Sequence, residues 1–171
     1  KVLTCINENN VGLNFNNNNI EYSSNTVGFK YHLLEDGIIE PPSVDINKIK
    51  QIDFNFKFKV SYPVINSLIK GSTFTTETDK IYFKTDETGV LATLTDEQRH
   101  NVDSYTQHIS DKFTGEPLKT PLALNFETIR ILSSIRFDEL VVLINPDLNV
   151  FLFDISINDT KINIISSGYV G

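Results

Sequence analysis

The sequence predicts an α+β fold of antiparallel sheets, with two short helices on one face per domain. Three observations favour this class. Apolar and polar residues alternate with period two over many short runs, which is typical of half-buried strands. Amphipathic helical stripes interrupt these runs at only two points, near Tyr62–Lys70 and Asn125–Ile135. A helix followed by three strands occurs at both ends of the chain.

The repeated order predicts two similar domains, of which the first is incomplete. At the amino end, Lys1–Asn10 has the pattern of the last turns of a helix, in the position that Asn125–Ile135 holds near the carboxyl end. The strands that follow are Val11–Phe15, Ile20–Ser23 and Val27–Leu33 in the first copy, and Glu139–Ile144, Val150–Ile157 and Lys161–Ser166 in the second. We therefore expect residues 1–34 to be the C-terminal half of a first domain, 35–53 an interdomain linker and 54–171 a complete second domain.

Local signals define the elements of the second domain. Phe54–Val60 alternates as a half-buried strand. Ser61 is a suitable N-cap for the helix after it, and Gly71 is expected to end that helix. Asn125 is a suitable N-cap for the second helix. The strands predicted between the helices are Phe74–Glu77, Lys80–Thr85, Gly89–Thr95 and Ser104–Ile109. The resulting order is β-α-β-β-β-β-α-β-β-β.

Charge and composition restrict the classes of function. The formal net charge of the 171 residues is -7, which argues against a surface that binds nucleic acid everywhere but allows a local basic stripe. The single cysteine, Cys5, excludes an intrachain disulfide, so a reducing cytoplasm is the default location. No apolar run reaches the roughly 18 residues that a membrane-spanning helix needs.

No catalytic constellation is recognisable. The histidines, His32, His100 and His108, have no metal-ligand spacing, and the acidic residues near Asp96 and Asp111 surround no glycine-centred calcium loop. Glycine-rich phosphate loops and nucleophile elbows are absent from the sequence. We therefore expect no catalytic residue, no metal and no cofactor, and a binding or scaffold role in place of an enzyme.

The succession of elements, with a linker and a partial earlier copy, resembles the DNA sliding clamps, in particular the trimeric clamp of large tailed bacteriophages. The segments that carry the resemblance are Val2–Asn7, Val60–Ile69, Phe126–Leu132, Leu140–Ile144 and Val150–Ile155. The resemblance covers essentially the whole chain as a pattern. It implies that the chain lacks the first part of an N-terminal clamp domain.

The resemblance implies a DNA-clamp fold and a non-catalytic polymerase processivity factor that encircles duplex DNA. The implied partners are DNA polymerase and a clamp loader, which bind through short hydrophobic peptides, and two further copies of the chain in a full-length homotrimer. For a viral protein, the implied location is the host cytoplasm.

Three cations are the candidate DNA-facing residues. Lys70 and Arg130 lie on the polar sides of the two predicted helices, and Arg136 lies just past the second. Cations near helix C-termini also complement the helix dipole and aid solubility. The DNA hypothesis therefore depends on whether the fold brings the helices side by side. Lys57 and Lys59, on a predicted strand, are weaker candidates.

A partner-peptide pocket is predicted between the linker and the last sheet, because the linker is apolar yet irregular. The candidate lining residues are Ile38, Ile39, Pro41, Pro42, Val142, Ile144, Tyr169 and Val170. The alternative is a linker that only completes the core, which would leave no exposed apolar patch.

A virion structural protein, such as a β-rich tail or baseplate component, is the alternative from a different class. It shares the antiparallel strands, asparagine-rich turns and acidity. It gives no reason for Lys70 and Arg130 to lie on neighbouring helices.

Overall fold

The computed structural model describes residues 11–33 and 46–169. The chain divides into two compact units, Lys1–Asn47 and Lys48–Gly171. The predicted helical end over Lys1–Asn10 and most of the predicted linker lie outside the described residues, so the predicted domain bounds stay predictions.

The described part of the first unit is a three-stranded antiparallel meander. Its strands are β1 (Asn14–Asn16), β2 (Asn19–Ser23) and β3 (Gly28–His32), in that spatial order. They confirm the three strands predicted for this part of the chain. The rings of Tyr22 and Phe29 stack across β2 and β3, with centroids 5.7 Å apart.

A short helix, α1 (Ile46–Lys50), was not predicted. The elements after it are β4 (Phe56–Lys59), α2 (Tyr62–Gly71), β5 (Lys80–Asp86), β6 (Gly89–Leu94), β7 (Tyr105–Ser110), β8 (Phe113–Thr114), β9 (Leu122–Asn125), α3 (Phe126–Ser133), β10 (Glu139–Asn145), β11 (Val150–Ile157) and β12 (Thr160–Ser167).

Two interlocked half-domains make up the second unit. Its sheets have the orders β12-β11-β10-β4-β8 and β7-β6-β5-β9, and every pairing is antiparallel. The segments β4-α2-β5-β6-β7 and β9-α3-β10-β11-β12 repeat one order of elements. The first strand of each half pairs with the sheet of the other half, because β4 lies beside β10 and β9 beside β5. Neither half can therefore complete its sheet without the other.

One hydrophobic core joins both sheets and both helices of this unit. On β4 the inward side chains are Phe56 and Phe58, and Lys57 and Lys59 are exposed, as the period-two pattern predicts. Val60, directly after β4, is buried as well. The ring of Phe58 reaches that of Phe83 on β5, with centroids 6.2 Å apart. Each fully buried apolar side chain contributes about 1.5–3 kcal/mol through removal from water.

The strand predicted over Phe74–Glu77 is wrong. These residues form turns after α2, with Phe74 exposed and Thr75 buried. Two strands were missed, β8 and β9. Leu122, Ala123 and Leu124 of β9 are all buried, so the strand shows no alternation of polar and apolar residues to identify it.

Gly71 does not end α2 in the predicted way. It is the last helical residue, and Ser72 is the C-cap in right-handed conformation, with φ of -66°. A Cβ atom at Gly71 would lie 2.3 Å from Cε1 of Tyr105. A glycine is therefore required here for close packing of α2 against β7, and not for a left-handed cap.

Candidate functional site

The helices α2 and α3 lie side by side and antiparallel, and we call them the helix pair. The hydroxyl of Tyr62, the first residue of α2, donates a hydrogen bond of 3.2 Å to the carbonyl of Ser133, the last residue of α3. The Tyr62 ring also packs edge-on against Phe137, 5.4 Å between centroids. The predicted helices are thus confirmed, and the fold brings them together.

Local sequence explains both helices. Pro63 lies in the first turn of α2, where its missing N–H has no helical partner. Ser61 is the N-cap of α2, but its side chain makes no capping hydrogen bond. On α3 the Asn125 side chain accepts a 2.8 Å hydrogen bond from the backbone N–H of Glu127. The inward faces carry Ile65 and Leu68 on α2, and Phe126, Ile129 and Leu132 on α3.

The three predicted cations are spread along the exposed side of this unit. Lys70 is exposed in the last turn of α2, and no ion pair to it is present within the described ranges. Arg130 is exposed in the last turn of α3. Arg136 is exposed three residues beyond the end of α3, near the start of α2 because the helices are antiparallel. A helix of this length is roughly 15 Å long, so the cations do not share one point.

Intramolecular contacts reduce the charge that Arg130 presents. Its Nη1 lies 3.1 Å from Oε2 of Glu127, and its guanidinium lies 5.3 Å from the centroid of the Phe126 ring. Glu127 is the only acidic residue in the two helices, whose sequences are YPVINSLIKG and FETIRILS. The helix pair therefore presents a weakly basic, mostly uncharged polar surface on an acidic chain.

Lys57 and Lys59, the weaker candidates, lie on β4 and away from the helix pair. Lys59 forms an ion pair with Glu139 on β10. This hydrogen-bonded contact lowers the pKa of Glu139.

The predicted peptide pocket is only partly represented in the described residues. Val142 and Ile144 belong to the core, with exposed fractions of 2% and 0%. They cannot line a surface groove, because alternate residues of β10 point inward and these two share the inward face with Leu140. Tyr169 is 37% exposed. The other five candidates, Ile38, Ile39, Pro41, Pro42 and Val170, lie outside the described residues.

Tyr169 lines a groove of about 520 Å³ beside β5 and β9, which we call the Tyr169 groove. Lys80 lies in this groove, with its Nζ atom 3.2 Å from Oδ1 of Asp96 and 5.6 Å from the centroid of the Tyr169 ring. The hydrogen bond between Lys80 and Asp96 raises the pKa of Lys80 and lowers the pKa of Asp96. The groove therefore combines an aromatic ring with a cation that is already neutralised.

Backbone hydrogen bonds hold Tyr169 at this groove. Its N–H donates to the Ala123 carbonyl at 2.9 Å, and its carbonyl accepts from Asn149 Nδ2 at 2.7 Å. Its hydroxyl accepts from Asn125 Nδ2 at 3.0 Å. Sequence reasoning selected Tyr169 but missed its neighbours at the groove, Lys80, Tyr82 and Ala123, because they come from strands remote in the chain.

The described residues contain no group of three or more histidine, cysteine, aspartate or glutamate side chains that could hold a metal ion. Within the same ranges no helix has the length and hydrophobicity that crossing a membrane requires.

Comparison with known proteins identifies the fold. No protein-family model matches the chain. No curated protein matches it. Solved structures do match, among them the sliding clamp (DNA polymerase III subunit beta) of Bartonella birtlesii bound to griselimycin, at 15% identity and a TM-score of 0.57, over 93% of this chain and 41% of that one. The DNA polymerase III beta subunit from Thermotoga maritima matches at 17% identity and a TM-score of 0.56, over 99% of this chain and 44% of that one. The DNA polymerase III subunit beta from Borrelia burgdorferi, in complex with a natural product, matches at 13% identity and a TM-score of 0.58, over 92% of this chain and 40% of that one.

These likenesses show that the chain has the DNA-clamp fold, which confirms the predicted fold class. The chain spans less than half the length of the sliding clamps it matches.

Proposed function

We propose that the chain is part of a DNA sliding clamp, a non-catalytic processivity factor that encircles duplex DNA and tethers replication proteins. The observation that carries the proposal is the antiparallel helix pair, with Lys70, Arg130 and Arg136 exposed along it in a DNA-clamp fold. The likeness to solved sliding clamps supports it. It also favours this function over the virion structural protein, which the fold does not support.

The charge distribution suits a protein that slides. Contacts to phosphates carry no sequence information and exchange easily, whereas base contacts would stop movement. A net charge of -7 disfavours DNA on most of the surface, while a weakly basic face with few carboxylates permits it on one side. Three cations, one of them already paired with Glu127, give loose attraction in place of tight binding.

We propose DNA polymerase and clamp-loader peptides as protein partners, bound at the Tyr169 groove. The groove offers the exposed Tyr169 ring and the neighbouring surface of Tyr82 and Leu122 to an apolar anchor residue. The five linker and terminal candidates lie outside the described residues, and their part in a peptide pocket stays a prediction. The bacteriophage origin, the homotrimeric ring and the host cytoplasm as location rest on the sequence resemblance and belong to the same proposal.

Charge reversal on the helix pair tests DNA binding. In an assembly able to close a ring, Lys70→Glu with Arg130→Glu is expected to shorten retention on closed circular DNA and to reduce polymerase processivity. Removing one cation that binds a phosphate should lower the slope of log affinity against log salt by about one unit. Because both side chains are exposed, the fold should be unchanged.

The matched control is Lys84→Glu with Lys119→Glu, which makes the same change in net charge at exposed positions outside the helix pair. This control is expected to retain DNA nearly as well as the parent. Equal reductions in both double variants, or an unchanged salt slope in the first, would contradict the assignment of DNA to the helix pair.

Peptide titration tests the Tyr169 groove separately. Peptides from the carboxyl end of the polymerase should shift the amide resonances of Tyr169, Ala123 and Tyr82, and Tyr169→Ala should weaken binding. Shifts confined to other surfaces would refute this pocket and leave the DNA proposal standing.

A further inference from the structure

A second groove lies in the same unit, where β4, β8 and β10 meet. Its volume is about 580 Å³, and we call it the lysine groove. Its charged lining residues are Lys57, Lys59, Lys112 and Asp111, and its apolar lining includes Phe113 and Val141. Three ammonium groups against one carboxylate are unusual on a chain whose net charge is -7.

The internal repeat of the fold relates the lysine groove to the Tyr169 groove. The lysine groove forms where β4, the first strand of one half, pairs with β10 and with β8. The Tyr169 groove forms where β9, the first strand of the other half, pairs with β5, and where the Tyr169 backbone bonds to Ala123 of β9. The two grooves thus occupy equivalent positions in the two half-domains.

Their charges differ. In the Tyr169 groove, Lys80 is neutralised by Asp96 at 3.2 Å. In the lysine groove no ion pair to Lys57 or Lys112 is present within the described residues, whereas Lys59 pairs with Glu139. These two ammonium groups therefore face the lysine groove with their charge uncompensated in the described part of the chain, and an anionic occupant would complement them.

We propose that the lysine groove binds an acidic, extended protein segment that carries an apolar anchor residue. Carboxylates of the segment would pair with Lys57 and Lys112 at the rim. The anchor would contact Val141, which is half-buried on the same outward face of the sheet as Lys57 and Lys59. The segment is expected to be extended, because β8 is the edge strand of its sheet in the described part of the chain and an edge strand can pair with an extended peptide.

The groove favours a peptide over duplex DNA. A recess of this size admits a few side chains, and its apolar floor offers nothing to a phosphate backbone. The proposal does not rest on the helix pair, since it needs only the charge and shape of this groove.

Fluorescence anisotropy with a labelled short peptide of alternating aspartate and leucine tests the proposal. We expect the intact chain to bind this probe, and to bind it more weakly as salt rises. Two matched probes define the chemistry: lysine in place of aspartate should abolish binding, and serine in place of leucine should weaken it. Absence of binding of the first probe at millimolar concentration would overturn the proposal.

Lys57→Glu with Lys112→Glu is expected to weaken binding of the acidic probe at least about fivefold, because two rim attractions become repulsions. Lys84→Glu with Lys119→Glu is the control of equal charge and should bind nearly as the parent does. Equal weakening of probe binding in both double variants would mean that the net charge of the chain alone determines binding, and would refute the lysine groove as the binding site.

Chemical-shift mapping on the unmodified chain keeps the test independent of variant folding. Shifts from the acidic probe centred on β4, β8 and the amide of Val141 support the proposal. Shifts centred on the Tyr169 groove, or full displacement of the probe by short duplex DNA, overturn it.

Discussion

Gly71→Ala is predicted to destabilise the second unit, although alanine normally favours a helix. The added Cβ would lie 2.3 Å from Cε1 and 2.4 Å from Cδ1 of Tyr105, well inside the 3.4 Å at which ordinary contact begins. The ring has little freedom to retreat, because its hydroxyl contacts Gln107 Oε1 at 3.2 Å and Ser67 Oγ at 3.4 Å. The substitution should therefore move α2 away from β7 or displace the ring.

Two opposing contributions determine how far Gly71→Ala changes the stability of the unit. Overpacking of this kind costs about 1–3 kcal/mol, whereas replacing a helical glycine by alanine stabilises by at most about 1 kcal/mol in a helix interior. Gly71 is the last helical residue, so this stabilisation is smaller. A net destabilisation of about 1–2 kcal/mol is expected, which lowers the Tm by roughly 3–8 °C for a unit of this size.

Thermal unfolding followed by circular dichroism measures this destabilisation, with Gly12→Ala as the matched control. A Cβ at Gly12 meets nothing within 4 Å, so this variant should match the parent to within about 0.5 kcal/mol. Gly71→Ala combined with Tyr105→Ala should be destabilised by less than the sum of the two single variants, because the clash is absent. A Gly71→Ala variant as stable as the parent would refute the close-packing explanation.

Two further predictions concern stability. Asn125→Ala should cost about 1 kcal/mol through removal of the cap on α3, whereas Ser61→Ala should be nearly neutral because Ser61 makes no side-chain cap; equal Tm values for the two variants would contradict this. The ion pair of Lys80 and Asp96 should stabilise the fold fully above the ordinary Asp pKa of 3.8, and lose its effect as pH falls towards the lowered pKa of Asp96. It should also weaken as pH rises past 10.5 towards the raised pKa of Lys80. Asp96→Asn should flatten the acid side of a plot of Tm against pH, and an unchanged acid side would count against the pair.

Strands whose residues alternate between core and solvent were predictable, whereas β9, which is buried on both faces, was not. Val150–Ile157 has the predicted bounds because its inward residues, such as Phe151 and Phe153, alternate with more exposed ones. β9 was missed because its buried residues, Leu122, Ala123 and Leu124, are contiguous and show no alternation with polar residues. Phe74–Glu77 has strand-like propensity, but Ser72 and Thr73 bond back to carbonyls of α2 and direct the chain into turns.

The exposed positions of the cations on the helices were predictable from the sequence, and the two grooves were not. The cations at Lys70 and Arg130 follow from helical spacing, and the pair between Arg130 and Glu127 also follows from a three-residue separation. Alternate residues of a strand share one face, so the sequence of β10 could have predicted that Val142 and Ile144 are buried together with Leu140. The grooves could not be predicted, since each combines strands that are distant in sequence.

The measurement that most directly tests the central claim is the mapping of backbone amide chemical shifts during titration with two duplexes of unrelated sequence at low salt. We expect weak binding, with shifts along α2 and α3 and near Arg136, alike for both duplexes and abolished as salt rises. Little change is expected on β11 and β12. Shifts centred on the lysine groove or on the outer strands, or a pattern that depends on the duplex sequence, would contradict the assignment of the helix pair as the DNA-facing surface.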